Sequence, residues 1–166
     1  KTMQFTEEIL KQIKYVILDA DSLNSFQKKT KKFLKYLDKN KLITPHRAEF
    51  HRLFPSIKTR LSNKEKVLKF LKVCKSNILL KGNTTVIGSP AKIVINKHTS
   101  SELAVIGSGD VLAGIIASLV GDKKMSPNEA ASAATWIHGD IAKRYGRGLI
   151  SEDLVKGITD ALRRLK

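Results

Sequence analysis

Cysteine is almost missing from this 166-residue chain. Cys74 stands alone, which excludes an intrachain disulfide framework and any metal site made only of thiolates. Aromatic residues make up 6% of the chain, and neither an RNA-binding aromatic motif nor a zinc-finger spacing occurs. No apolar run reaches the roughly 18 residues that a membrane-spanning helix needs, so no membrane partner is expected. The four prolines are scattered, and internal repeats and low-complexity linkers are absent, so no second-domain boundary is expected. A signal-peptide pattern is also lacking, and Met stands third in the opening KTMQFTEEIL. The expectation is a single domain that is a fragment, a processed product or a trimmed chain.

What is present fits a folded α/β protein. Hydrophobic residues are 42% and charged residues 28%, enough for a real core. The formal charge of +16 invites a polyanion partner, but its placement argues otherwise. Residues 1–90 hold 20 Lys and Arg against 7 Asp and Glu, whereas residues 91–166 hold 11 against 8. The lysines of the first part fall on the polar sides of helical segments such as Gln27–Leu37 and Asn63–Lys75. A solvated helix face explains them, and nucleic acid is not expected as a partner.

Periodicity and turn signals predict helices over Thr6–Lys14, over Gln27–Leu37, from near His46 to a point before Pro55, and over Asn63–Val73. Short strands are predicted at Tyr15–Leu18, Leu42–Thr44, Asn77–Lys81, Thr85–Gly88 and Lys92–Ile95. A polar loop, 96–102, then leads to helices over Val111–Val120, Pro127–Tyr145 and Ser151–Leu165. Thr6, Ser126 and Ser151 are the expected N-caps, and Gly121 is the expected terminator of its helix. Strands alternating with helices imply a layered α/β architecture.

Four short motifs carry chemistry. Gly107-Ser108-Gly109-Asp110 opens an apolar helix, where glycines allow close backbone approach and free amides favour an anion. An aspartate at that mouth can take a proton from a hydroxyl during phosphoryl transfer, although Ser108 or Asp110 can equally serve as a plain helix cap. Leu18-Asp-Ala-Asp-Ser-Leu-Asn24 ends a strand with Asp19, Asp21 and Asn24, where open α/β sheets bind ligands; an Asx turn is the ordinary alternative. Thr44-Pro-His-Arg-Ala-Glu49 places His46 and Glu49 in the first turn of a helix, where both can also be structural. Lys81-Gly-Asn-Thr-Thr85 brings a lysine and a flexible turn to a strand end, suited to a phosphate or to a hairpin.

In this order, LDADSLN, ITPHRAEF, LLKGNTTVIG, LAVIGSGDVLAGIIASLV and AASAATWIHGDIAKR resemble the ADP- or ATP-dependent NAD(P)H-hydrate dehydratases of the ribokinase-like superfamily. The similarity runs from about Tyr15 to the C-terminus. This chain has Arg47-Ala48 where the family usually has Pro-Gly, and Val105 where threonine is usual. The resemblance implies a three-layer α/β/α sandwich, lacking a Gly-rich N-terminal part that family members carry. It implies a cytoplasmic repair reaction in which the hydroxyl of hydrated NADH or NADPH is phosphorylated and phosphate is lost.

Carried over by motif, Asp110 would be the base, with Gly107 and Gly109 in the anion hole. His46, Asp19 and Asn24, together with Asp110, would contact the hydrated dinucleotide. Lys81, Gly82, Asn83, Thr84 and Thr85 would hold ADP or ATP with Gly109 beside it, and Glu49 would help to order Mg2+. A homo-oligomer, and a separate N-terminal piece or epimerase domain, are the implied partners. With that piece absent, the chain alone is expected to expose sheet surface and to turn over little substrate. A hydroxymethylpyrimidine- or thiazole-type alcohol kinase of the same superfamily is the alternative enzyme, and a non-catalytic basic binding module is the alternative of another class.

Overall fold

Three short apolar runs, the first two each followed by a helix, pair in parallel in a computed structural model that describes residues 1–165. They are β1 (Val16–Leu18), β2 (Lys41–Ile43) and β3 (Asn77–Leu80). Two hairpins then add β4 (Thr85–Gly88) and β5 (Ile93–Asn96) antiparallel, giving one five-stranded sheet in sequence order. β2, β3 and β4 are buried along their whole length, as strands covered on both faces must be. Among the described residues β1 has no strand on its outer side.

Alternation along the strands separates two cores. Leu18, Ile43, Ile78, Leu80 and Val86 point to one face. There they meet Phe26, Phe33, Phe50, Phe54 and Phe70, which belong to α2 (Ala20–Asn24), α3 (Thr30–Leu34), α4 (Arg47–Leu53), α5 (Asn63–Leu71) and their connections. Leu42, Leu79 and Ile87 point to the other face, against Leu112, Ile116, Ala130 and Ala134 of α6 (Ser108–Gly121) and α7 (Pro127–Tyr145). α8 (Ser151–Arg163) closes a third cluster with α7 through Ile141, Leu154 and Ala161. The arrangement is three layers, α/β/α. The N-terminal helix α1 (Thr2–Gln12) adds Leu10 to the phenylalanine-rich core.

Local chemistry explains most boundaries and a few departures. Ser126 caps α7 in a reciprocal box with Glu129 and Pro127 at the first position, as expected. α1, however, starts four residues before Thr6, whose buried hydroxyl donates to the Thr2 carbonyl instead of capping. The lysine-rich helix shortens to Thr30–Leu34 because Lys28 takes a left-handed φ of 61°. α6 begins three residues before Val111, so the Gly-Ser-Gly-Asp motif forms its first turn and not the loop before it. Ser151 lies just inside α8, after the capping position at Ile150, and Gly121 is the last residue of α6. The polar loop at 96–102 ends in a 3-10 turn, Ser101–Leu103.

Candidate active site

The three parallel strands deliver their motifs to one edge, at their carboxyl ends, where open α/β sheets place ligands. Backbone bonds tie these ends together. Both the N–H and the hydroxyl of Thr44 donate to the Leu18 carbonyl, at 3.0 and 3.1 Å. Lys81 N–H donates to the Pro45 carbonyl at 2.9 Å, and His46 and Lys81 form a parallel bridge. Three segments distant in sequence are thereby held in fixed register.

At their centre, Lys81 Nζ lies 2.8 and 3.0 Å from the two carboxylate oxygens of Asp19. Asp19 occupies the N-cap position of α2, yet its side chain does not cap that helix. The Asp19 backbone carbonyl instead accepts the Ser22 N–H and hydroxyl, which leaves the carboxylate free to hold the lysine. Gly109 sits directly against the pair: a Cβ there would be 3.4 Å from Lys81 Nζ and 3.6 Å from Asp19 Oδ2. Gly107 takes a φ of 83° at the N-cap of α6, and a Cβ there would press on Ser151 at 2.9 Å. The glycines thus bring the start of α6 onto the lysine.

A cavity of about 620 Å³ opens here, lined by His46, Lys81, Gly82, Asn83, Thr85 and Gly109 among others. Arg47, Thr99, Ser100, Ser108, Thr135 and His138 also face it. Thr84 instead lines a neighbouring cavity of about 370 Å³ that shares Arg47, Gly82 and Asn83. Asp110 is exposed one residue beyond Gly109, and its carboxylate makes no hydrogen bond or ion pair among the described residues. Of the first amides of α6, Ser108 N–H donates to Val105 O and Val111 N–H to Gly107 O. Those of Gly109 and Asp110 point into the open end of the helix and find no acceptor among the described residues.

Two expected site residues have other work. The Glu49 carboxylate, 6% exposed, accepts the His46 N–H at 2.8 Å and completes a capping box in which His46 Nδ1 accepts the Ala48 and Glu49 amides. With Nδ1 accepting, the imidazole proton lies on Nε2, and Glu49 serves as a helix cap. Asn24 Oδ1 accepts from Gln27 and Arg52, and the side chain does not reach the cavity. Asp21 is exposed on α2. No three His, Cys, Asp or Glu side chains cluster as a metal site among the described residues.

Sequence reasoning missed His138. It sits on α7, 4% exposed, with Nε2 3.3 Å from the Ser108 hydroxyl. Its signal was a lone imidazole on the same helical stripe as Ala131 and Ala134, where a polar side chain needs a partner. Burial pushes its pKa down to about 4, partly offset by a hydrogen bond to the Ser108 backbone. The unfolded chain therefore takes up this proton first as pH falls. The associated stability is complete above about pH 6.5 and declines by about 3 kcal/mol on reaching pH 4. Urea midpoints at neutral and acid pH should show this extra loss in the natural protein and not in His138→Gln.

An open cavity at a parallel-sheet edge, with a cation and a glycine-rich helix start, marks the ligand site of an open α/β protein, and the exposed Asp110 carboxylate stands next to its lining. The chain belongs to the NAD(P)H-hydrate dehydratase family, whose sequence profile matches residues 1–160. It is 35% identical over 160 residues to the ADP-dependent (S)-NAD(P)H-hydrate dehydratase of Neisseria meningitidis, covering 92% of this chain and 53% of that protein. It is 32% identical over 165 residues to a bifunctional NAD(P)H-hydrate repair enzyme of Archaeoglobus fulgidus, covering 98% of this chain and 32% of that one. The chain thus spans about half the length of the first relative and a third of the second. The solved structure of the Bacillus subtilis ADP/ATP-dependent NAD(P)H-hydrate dehydratase, co-crystallised with ATP/Mg2+, superposes with a TM-score of 0.77 at 23% identity. That match covers 98% of this chain and 59% of that one, and the fold is ribokinase-like.

Proposed function

We propose that this site binds ADP or ATP beside hydrated NADH or NADPH and dehydrates the latter through a phosphate ester. One convergence carries the proposal: Lys81, the free amides of Gly109 and Asp110, and the His46 rim meet where three strands end. Lys81 to Thr85 hold the donor nucleotide, with Gly109 against its phosphates. His46 borders the hydrated dinucleotide, and Asp19 orients Lys81 from behind.

The Asp110 carboxylate takes the substrate hydroxyl's proton as that oxygen bonds to the terminal phosphorus of the donor. The bond from that phosphorus to its bridging oxygen breaks, and the electron pair leaves with AMP or ADP. Lys81 and the helix amides offset the charge on the transferring group. The new ester then loses phosphate with its electron pair, and loss of a proton from the adjacent ring carbon restores the reduced nicotinamide. Mg2+ brought in with the nucleotide would supply further charge neutralisation, an ion that takes its ligands from phosphates, water and one or two carboxylates. Glu49, one of whose oxygens already accepts the His46 N–H, would have only the other to offer such an ion.

A companion epimerase activity on a longer chain or a separate piece, a cytoplasmic setting and a homo-oligomer complete the proposal. The bifunctional name of the Archaeoglobus relative supports the first of these.

Equilibrium retention separates this function from that of a small-alcohol kinase. Hydrated NADH should be held in the presence of ADP, while hydroxyethylthiazole and hydroxymethylpyrimidine should pass through; the reverse order overturns the proposal. Within it, Lys81→Ala should weaken ADP binding by roughly 10- to 100-fold in calorimetry. The substitution removes a cation and leaves the 15%-exposed Asp19 carboxylate facing the phosphates.

A further inference from the structure

Ser108 and His138 are both buried, at 5% and 4% exposure, and both line the larger cavity. They come from different helices, 30 residues apart, and meet at 3.3 Å. The mechanism above uses neither.

A serine paired with an imidazole beside free helix amides suggests first a nucleophile and its base. The chemistry here opposes that. An imidazole whose pKa is near 4 is a weak base, and no carboxylate is hydrogen-bonded to it among the described residues. What the pair can do is fix the direction of a hydroxyl.

Two assignments of the shared hydrogen are possible. If the serine hydroxyl donates to Nε2, only oxygen lone pairs face the cavity, and they oppose an anion there. If Nε2–H donates to Oγ, the serine proton is released toward the cavity as a donor. The second arrangement meets a need visible in the backbone. The Ser108 amide, the first in the helix, is already bonded to Val105 O at 3.3 Å, so only Gly109 and Asp110 offer free amides. A hydroxyl at the same residue replaces the donor that the backbone has lost.

We propose that His138 is a positioning residue that donates from Nε2 to Ser108, turning the Ser108 hydroxyl into a third hydrogen-bond donor to the phosphate chain of the bound nucleotide. This rests on the reading of the cavity as a nucleotide site. Because the imidazolium also carries a proton on Nε2, acid leaves the donation intact as long as the protein stays folded.

The test uses the full chain with Ser108→Ala, His138→Leu and His138→Gln, each checked for native circular dichroism. ADP binding is measured by calorimetry, and the His138 tautomer by 15N chemical shifts at neutral pH. Ser108→Ala and His138→Leu should weaken ADP about 10-fold, the size of one hydrogen bond to a charged group. His138→Gln, whose amide can still donate, should stay within about threefold of the natural protein. The 15N shifts should show protonated Nε2 and bare Nδ1. Natural protein that binds ADP while Ser108→Ala binds it equally well overturns this proposal and leaves the proposed function standing. A bare Nε2 has the same meaning. Natural protein that binds no ADP overturns the proposed function, and this proposal with it.

Discussion

Replacing Asp110 by Asn should lower nucleotide-dependent recovery of reduced nicotinamide by roughly 10²- to 10⁴-fold. The carboxylate is exposed in the first turn of α6 and bonds to nothing else in the described structure. Its removal therefore costs the fold little, and the melting temperature should stay within about 2 °C of the natural protein. ADP binding should be unchanged or slightly tighter, because a negative charge leaves the neighbourhood of the phosphates. Loss of rate without loss of binding is the signature of a group acting in the transition state. Single-turnover assays with hydrated NADH and saturating ADP or ATP separate the two effects. Full rate in Asp110→Asn would remove Asp110 from the role of base.

Asp110 also marks how far the sequence could be read. Each strand was legible to within a residue because its chemistry is local: β-branched runs, a glycine pair before an apolar helix, Pro45 after a strand. The order of motifs then specified the fold, and the three layers follow. What local patterns could not reveal was which side chain serves its own helix and which reaches across the sheet. Asp19 and Glu49 both look like caps. Glu49 is one, whereas Asp19 leaves α2 uncapped and bonds a lysine 62 residues away. The same limit hid His138, whose partner Ser108 is 30 residues distant. Positions where local preference is overridden by a long-range contact are the ones at the cavity, as expected where function competes with local stability.

The wall of the cavity opposite Lys81 depends on one such contact, and it yields the second large effect. Helix α7 carries Gly139, and a Cβ there would lie 1.9 Å from the carbonyl oxygen of His98 and 2.9 Å from its carbon. Both are backbone atoms, so no side-chain rotation can relieve the clash. The loop at His98 lies on α7 through Asn96, whose amide donates to the His98 and Thr135 carbonyls at 3.3 and 3.2 Å. The His98 ring stacks on Trp136 at 5.0 Å, and its Nε2 is 3.5 Å from Asp140. Burial alone would raise the Asp140 carboxyl, but hydrogen bonds from Arg144 and Arg164 hold it below the ordinary range.

Gly139→Ala must push this loop off the helix and break those contacts together. A cost of about 2–3 kcal/mol is expected, equal to a fall of roughly 5–10 °C in melting temperature for a chain of this size. Because Thr99 and Ser100 of the same loop line the cavity, nucleotide affinity should fall as well, by about 10-fold. Gly114→Ala is the matching control. Gly114 lies inside α6, with no atom within 4 Å of its Cβ position, so alanine there should stabilise by about 0.5–1 kcal/mol. Opposite signs from the same substitution would tie the loss at Gly139 to the loop. Equal stability in the two variants would show that the loop yields freely, and that α7 does not hold the cavity wall.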